Sequence, residues 1–168
     1  SNDLGNLAKL LGQTIELRGT FGTFKNYFEG FRETRDRFMA DNLLAIYERT
    51  KEAGKKLVIW GHNAHIAHAT LNGSKRMGSH LKDKLNDAYF ALGGIFDEGS
   101  VRIFDFKDTY EYKKFDYSSP EKQNSIEYVF KKCKFPNFLL ITSDVMVNTP
   151  LKSFVQDFKM TREIGSTY

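Results

Sequence analysis

The sequence predicts an α/β fold, a partly parallel sheet flanked by helices and preceded by a long helix. Two observations lead there. Apolar residues recur at helical spacing through the first third of the chain, and beyond Gly54 short apolar runs alternate with further helical patterns. Strands separated by helices return in the same direction through crossovers, which makes the expected sheet partly parallel.

The elements follow in order. Leu4, Leu7, Leu10 and Leu11 fall at helical spacing, and Gly19, Thr20 and Gly22 interrupt the pattern. A second helix is expected from about Phe24 to Glu52. Its apolar stripe contains Tyr27, Phe31, Phe38, Leu43, Leu44 and Tyr47, while Glu33, Arg37, Asp41 and Glu48 lie on other faces, and Gly54 ends it. Strands are expected at Lys56 to Trp60, Tyr89 to Phe96, Val101 to Phe106 and Phe138 to Thr142. Helices are expected near Met77 to Asn86 and from Glu121 to Lys132, the latter with Pro120 in a first turn and Ser118 or Ser119 as cap. There is no internal repeat, low-complexity tract or linker, so residues 1–168 read as a single domain.

Composition narrows the class. A chain of 168 residues is long enough for one real core. Its fifteen phenylalanines suit either a large core or a surface meant for another piece of protein. The net charge of +4 is spread, with Lys113-Lys114 and Lys131-Lys132 as pairs rather than runs, so no nucleic-acid partner is expected. No apolar run approaches the about 20 residues of a membrane span. Cys133 is the lone cysteine, which excludes an internal disulfide, and packing is its expected role.

The chemistry gathers in two segments. The apolar run Leu57-Val58-Ile59-Trp60 ends in Gly61-His62-Asn63-Ala64-His65, the way an α/β enzyme presents imidazoles at the carboxyl end of a strand. Upstream, Arg35-Asp36-Arg37-Phe38-Met39-Ala40-Asp41-Asn42 sets charges against Phe and Met within a helical pattern. With Met77-Gly78, Leu81, Leu85, the Tyr89-to-Gly93 segment, Gly99 and the closing Arg162, Ile164, Gly165 and Tyr168, these segments resemble the erythromycin esterase family. The resemblance runs from about Arg35 to the end, and is most specific at Arg35 to Asn42 and Trp60 to His65.

The resemblance implies hydrolysis of a carboxylic ester, such as a macrolide lactone, without a cofactor or metal. It also implies that the chain is the C-terminal half of a longer enzyme, because the family's principal catalytic histidine and its glutamates lie in an N-terminal half with no counterpart here. The expected partners are thus a small ester or lactone substrate and that missing half. His62 and His65 are the expected catalytic residues, completing the site as proton relays or electrostatic donors. Histidine fits because its ordinary pKa of about 6.5 lets it exchange protons near neutrality.

The supporting residues have two readings each. Arg35 and Asp36 either hold a substrate oxygen and fix an imidazole tautomer, or form an ion pair that ties the long helix to the sheet. Asn42 and Asn63 are candidate substrate-binding residues, and Asn63 reads equally as a turn asparagine. Trp60 suits a pocket wall or the end of a buried strand. His62, His65 and His68 also form a ladder at three-residue spacing, so a metal-dependent hydrolase is one alternative; on a helix the third would lie about 120° from the first, which strains a three-ligand site. A non-catalytic binding domain is the other. His80 is expected on the surface.

Familiar motifs are missing. The chain has no Gly-x-Ser-x-Gly elbow, phosphate-binding Gly-x-x-x-x-Gly-Lys loop or Gly-x-Gly-x-x-Gly turn. Gly93-Gly94 and Gly99 around Phe96-Asp97-Glu98 read as a turn, and Asp97 and Glu98 as solvated.

Overall fold

Two helices, α1 (Asn2–Gly19) and α2 (Tyr27–Lys51), begin the chain in the computed structural model. The structure describes residues 2–19, 27–71, 73–105, 111–117, 125–147 and 152–153. Two compact units divide the chain, Ser1–Gly93 and Gly94–Tyr168.

The first unit is built on α2. Ala40 is fully buried, and its lack of a bulky side chain leaves room for a neighbour to approach. That neighbour is α4 (Met77–Leu85), whose Met77 and Leu81 form a small core with Ala40. Met39, Leu43, Leu44, Ile59, Ile66, Leu85 and Tyr89 pack around them. Leu81 keeps 1% of its exposure, so its truncation removes most of what a buried leucine contributes.

Between α2 and α4 lie a single helical turn, α3 (Asn63–Ile66), and a tight antiparallel pair, β1 (Thr70–Leu71) and β2 (Ser74–Lys75). Gly73 has a φ of +81°, the left-handed region that glycine enters without the penalty of a Cβ. A short 3-10 turn at Asn86–Ala88 follows α4.

Helix α1 joins α2 through polar groups. Gln13 and Asn42 exchange two amide hydrogen bonds at 3.1 and 3.3 Å, and Arg37 pairs with Glu16. The leucines that set the helical spacing of α1 do not pack inward: Leu4, Leu7, Leu10 and Leu11 are all exposed.

The second unit contains an antiparallel hairpin of β3 (Gly99–Phe104) and β4 (Tyr112–Tyr117), in register from Gly99 opposite Tyr117 to Phe104 opposite Tyr112. Ile103 is buried, and just past the strand the largely buried Asp105 pairs with Lys113 at 2.6 Å. Helices α5 (Ile126–Phe130) and α6 (Thr142–Val145) complete its described part. Ser125 caps α5 by accepting from the Tyr128 amide at 3.1 Å, a typical N-cap arrangement. Cys133 is exposed and free.

The structure is mixed helix and strand, but the partly parallel sheet is not there. Among the described residues both sheets have two antiparallel strands. Lys56 to Trp60 and Tyr89 to Phe96 form no strand, and Phe138 to Thr142 leads into α6 instead. The physical reason is pairing. A strand needs a neighbour for its backbone groups, and none of the described residues forms a ladder with these segments. Val58, Trp60 and Phe90 are 90%, 99% and 79% exposed. The strand expected from Val101 is present as far as Phe104. Phe106, Ser118, Ser119, Pro120 and the closing Arg162, Ile164, Gly165 and Tyr168 lie outside the described residues.

Candidate functional site

The site is assembled from α2, α3 and the start of α4. Asp36 stands one helical turn before Ala40, so its carboxylate shares the face that α4 covers. It is fully buried. Arg35, next in the helix and about 100° around it, is exposed.

A buried carboxylate requires compensation. Two groups supply it. Asp36 Oδ1 lies 2.7 Å from His65 Nδ1, and Asp36 Oδ2 lies 3.7 Å from Arg76 Nη1. Neither oxygen has an aligned hydrogen-bond donor, so both contacts are electrostatic in character. On the other edge of the imidazole, Arg35 Nη1 is 3.4 Å from His65 Nε2.

This arrangement favours one tautomer electrostatically. A guanidinium has donors only, so the ring nitrogen that faces it must accept, whereas the nitrogen facing the carboxylate carries the proton. In its neutral form, the tautomer with the proton on Nδ1 and the lone pair on Nε2 is the one that suits both neighbours. The His65 side chain keeps 27% of its exposure, so the ring is anchored on a buried carboxylate yet reachable from outside.

The turn that carries His65 is held from several directions. His62 caps α3: its Nδ1 accepts from the Ala64 amide at 3.3 Å, and its carbonyl accepts from His65 and Ile66 at 2.9 and 3.2 Å. His62 thus serves as the N-cap of the turn, with its side chain exposed. At the far end of the turn, the Tyr89 hydroxyl donates to the Ile66 carbonyl at 2.9 Å and the Ser79 hydroxyl to the Ala69 carbonyl at 2.7 Å. Burial pushes the Tyr89 phenol above its ordinary pKa, so it keeps the proton that it donates.

Gly78 explains the Met-Gly pair. A Cβ at this position would stand 2.2 Å from the Ile66 carbonyl oxygen, far inside van der Waals contact. Only glycine lets the first turn of α4 lie flat against the end of α3, and that approach brings Arg76 to Asp36.

The remaining candidates separate. Asn63 opens α3, and its amide lies near Gly93, 3.6 Å from where a Cβ on that residue would be. Asn42 is engaged with Gln13 on α1. His68 is not on the helix of His65, because α3 ends at Ile66 and Ala67 is extended at ψ 146°. Its ring lies against Tyr89, 5.1 Å between centroids. Partial burial, helped by the charge of Lys82, lowers its pKa. The helical ladder of three histidines is therefore broken, and no group of three His, Cys, Asp or Glu side chains converges as a metal site among the described residues. His80 is half-buried, not on the surface, with its Nε2 enclosed.

Sequence reasoning missed Arg76. Between Lys75 and the apolar start of α4 it has no local mark of burial, yet 5% of its exposure remains.

Among the described residues no helix is long and apolar enough to cross a membrane. The family model for erythromycin esterase matches residues 14–168 of the chain. No curated protein and no solved structure matches it.

Proposed function

We propose that this chain, which belongs to the erythromycin esterase family, supplies one side of a hydrolytic site for carboxylic esters or macrolide lactones. The observation that carries the reading is the Asp36–His65–Arg35 assembly: a buried carboxylate at Nδ1 of the imidazole and an exposed guanidinium at its Nε2.

The chemistry follows from those groups. Water loses a proton to a base as its oxygen bonds to the carbonyl carbon, and negative charge gathers on the carbonyl oxygen. Arg35 is exposed and carries several donors, so it suits that oxygen. His65 has a free electron pair at Nε2 for a proton in transit once Arg35 turns to the substrate, while Asp36 favours the imidazolium that then forms. Collapse of the intermediate breaks the carbon–oxygen bond to the alcohol, which leaves with the proton. The products are an acid and an alcohol, joined in one molecule when the substrate is a lactone. His62, exposed at the mouth of the turn, is a second donor for the oxyanion, and Asn63 steadies the loop.

In this reading the principal base comes from a histidine of an N-terminal half, and residues 1–168 are the C-terminal half of a longer enzyme. The exposed leucines of α1 and the unpaired apolar segments at Leu57 to Trp60 and Phe90 to Leu92 support it, because such surface is costly without a partner.

Substitution in the complete enzyme tests the assignment. His65→Ala is expected to lower kcat/KM by about 10²- to 10⁴-fold. His62→Ala is expected to lower it by about 100-fold, with a stability loss of only about 1 kcal/mol from the cap. Loss of activity no greater than the loss of folded protein would assign both histidines to structure alone.

A further inference from the structure

We propose that Arg76 is a positioning residue that aims Asp36 at His65 and so fixes the imidazole tautomer of the site. The inference rests on the reading of His65 as a site residue and adds to it a group that the sequence did not mark.

Arg76 is placed unusually for an arginine. It occupies the N-cap of α4, where a small polar side chain that bonds back to the helix is favoured, yet it makes no such bond. Its side chain is 6% exposed, its Nε is enclosed without a hydrogen-bond partner, and its Nη1 faces the fully buried Asp36. Enclosing a guanidinium without full hydrogen bonding is costly, and that cost is offset only by a nearby negative charge. Asp36 is that charge.

The geometry divides the carboxylate between two tasks. Oδ2 is on the Arg76 side at 3.7 Å, and Oδ1 is on the His65 side at 2.7 Å. A cation beside one oxygen favours the orientation of the carboxylate in which the other oxygen stays toward Nδ1. Without Arg76, the carboxylate can rotate and the Nδ1–H preference weakens. Arg35 stands on the opposite edge of the ring at Nε2. Arg76 is too enclosed to meet substrate, which separates its role from that of the exposed Arg35.

The test reads the ring itself. Imidazole nitrogen NMR of His65 in this chain, at fixed pH, is compared among wild type, Arg76→Met and Arg76→Lys. The wild type is expected to show the Nδ1–H tautomer in more than about nine-tenths of its neutral form, the fraction that a bias of only about 1.4 kcal/mol produces. Arg76→Met is expected to give a tautomer mixture, and Arg76→Lys, which keeps the charge, to restore most of the preference. A folded Arg76→Met chain with the wild-type tautomer overturns the proposal. If Arg76→Met does not fold, Asp36→Asn/Arg76→Met removes both buried charges together: recovery of the fold supports the pairing, and failure to recover overturns it. These readouts do not depend on hydrolysis. A tautomer that responds to Arg76 in a protein that cleaves no ester leaves the positioning role standing and removes the esterase reading instead.

Discussion

Two regions of the first unit invert the usual distribution of polarity. Around Asp36 and Arg76, charged groups are enclosed, whereas at Val58, Trp60 and Phe90 and along α1 apolar side chains face outward. Enclosed charges survive only where partners are arranged for them, and large exposed apolar surfaces mark places where something else binds. The chain encloses its candidate chemistry and leaves apolar side chains exposed, a contrast that fits the proposal of a site shared with another piece of protein.

The enclosed region can be broken most severely at its carboxylate. Asp36→Ala leaves Arg76 buried without its counter-charge, and a loss of about 3–5 kcal/mol is expected in denaturant unfolding. A loss under about 1 kcal/mol would mean that the two charges are not coupled.

Leu81→Ala opens the small core beneath the site and is expected to cost about 2–5 kcal/mol by the same measurement. Gly78→Ala is next. Its new methyl meets the Ile66 carbonyl, so a loss of about 1–3 kcal/mol is expected, together with altered imidazole signals from His65, because the turn must shift. An unchanged His65 spectrum would show that Gly78 does not hold that turn.

The exposed region should behave in the opposite way. Trp60→Ser in this chain alone is expected to change stability by less than about 0.5 kcal/mol. In the complete enzyme it is expected to destabilise clearly; equal effects in both would remove the argument from uncovered surface.

The smallest effect concerns pH. His68 has its pKa lowered from the ordinary value of 6.5, so the unfolded chain takes up a proton more readily than the folded one in the window below 6.5. Its contribution is fully present above 6.5 and is lost as pH falls through the lowered folded value. His68→Gln is expected to flatten that part of the stability profile, measured by thermal unfolding from pH 5 to 7.

The same contrast explains what was legible in the sequence. Helices α2 and α4 were readable because their spacing and ends are local properties, and the Trp60-to-His65 segment stood out as a candidate site because it sets two imidazoles three residues apart. An ion pair between Arg35 and Asp36 is not among the contacts of these two residues. Asp36 does meet an arginine, but it is Arg76, and Asp36 also meets His65, while Arg35 serves the other edge of that ring. Contacts of this kind depend on how α4 lies across α2, which no local pattern encodes. The strand signals at Lys56 to Trp60 failed for a related reason: apolar runs state a preference for extended backbone, and a ladder needs a second segment. The exchange of hydrogen bonds between Asn42 and Gln13 likewise depends on how α1 lies beside α2, which the local sequence does not encode.

The central claim is that the site is shared between this chain and an N-terminal half. Its most direct test is hydrolysis of erythromycin and a panel of simple esters by the complete protein and by this chain alone, at equal concentrations of folded protein. Activity is expected in the complete protein, with none in this chain. Equal turnover by this chain alone would contradict it.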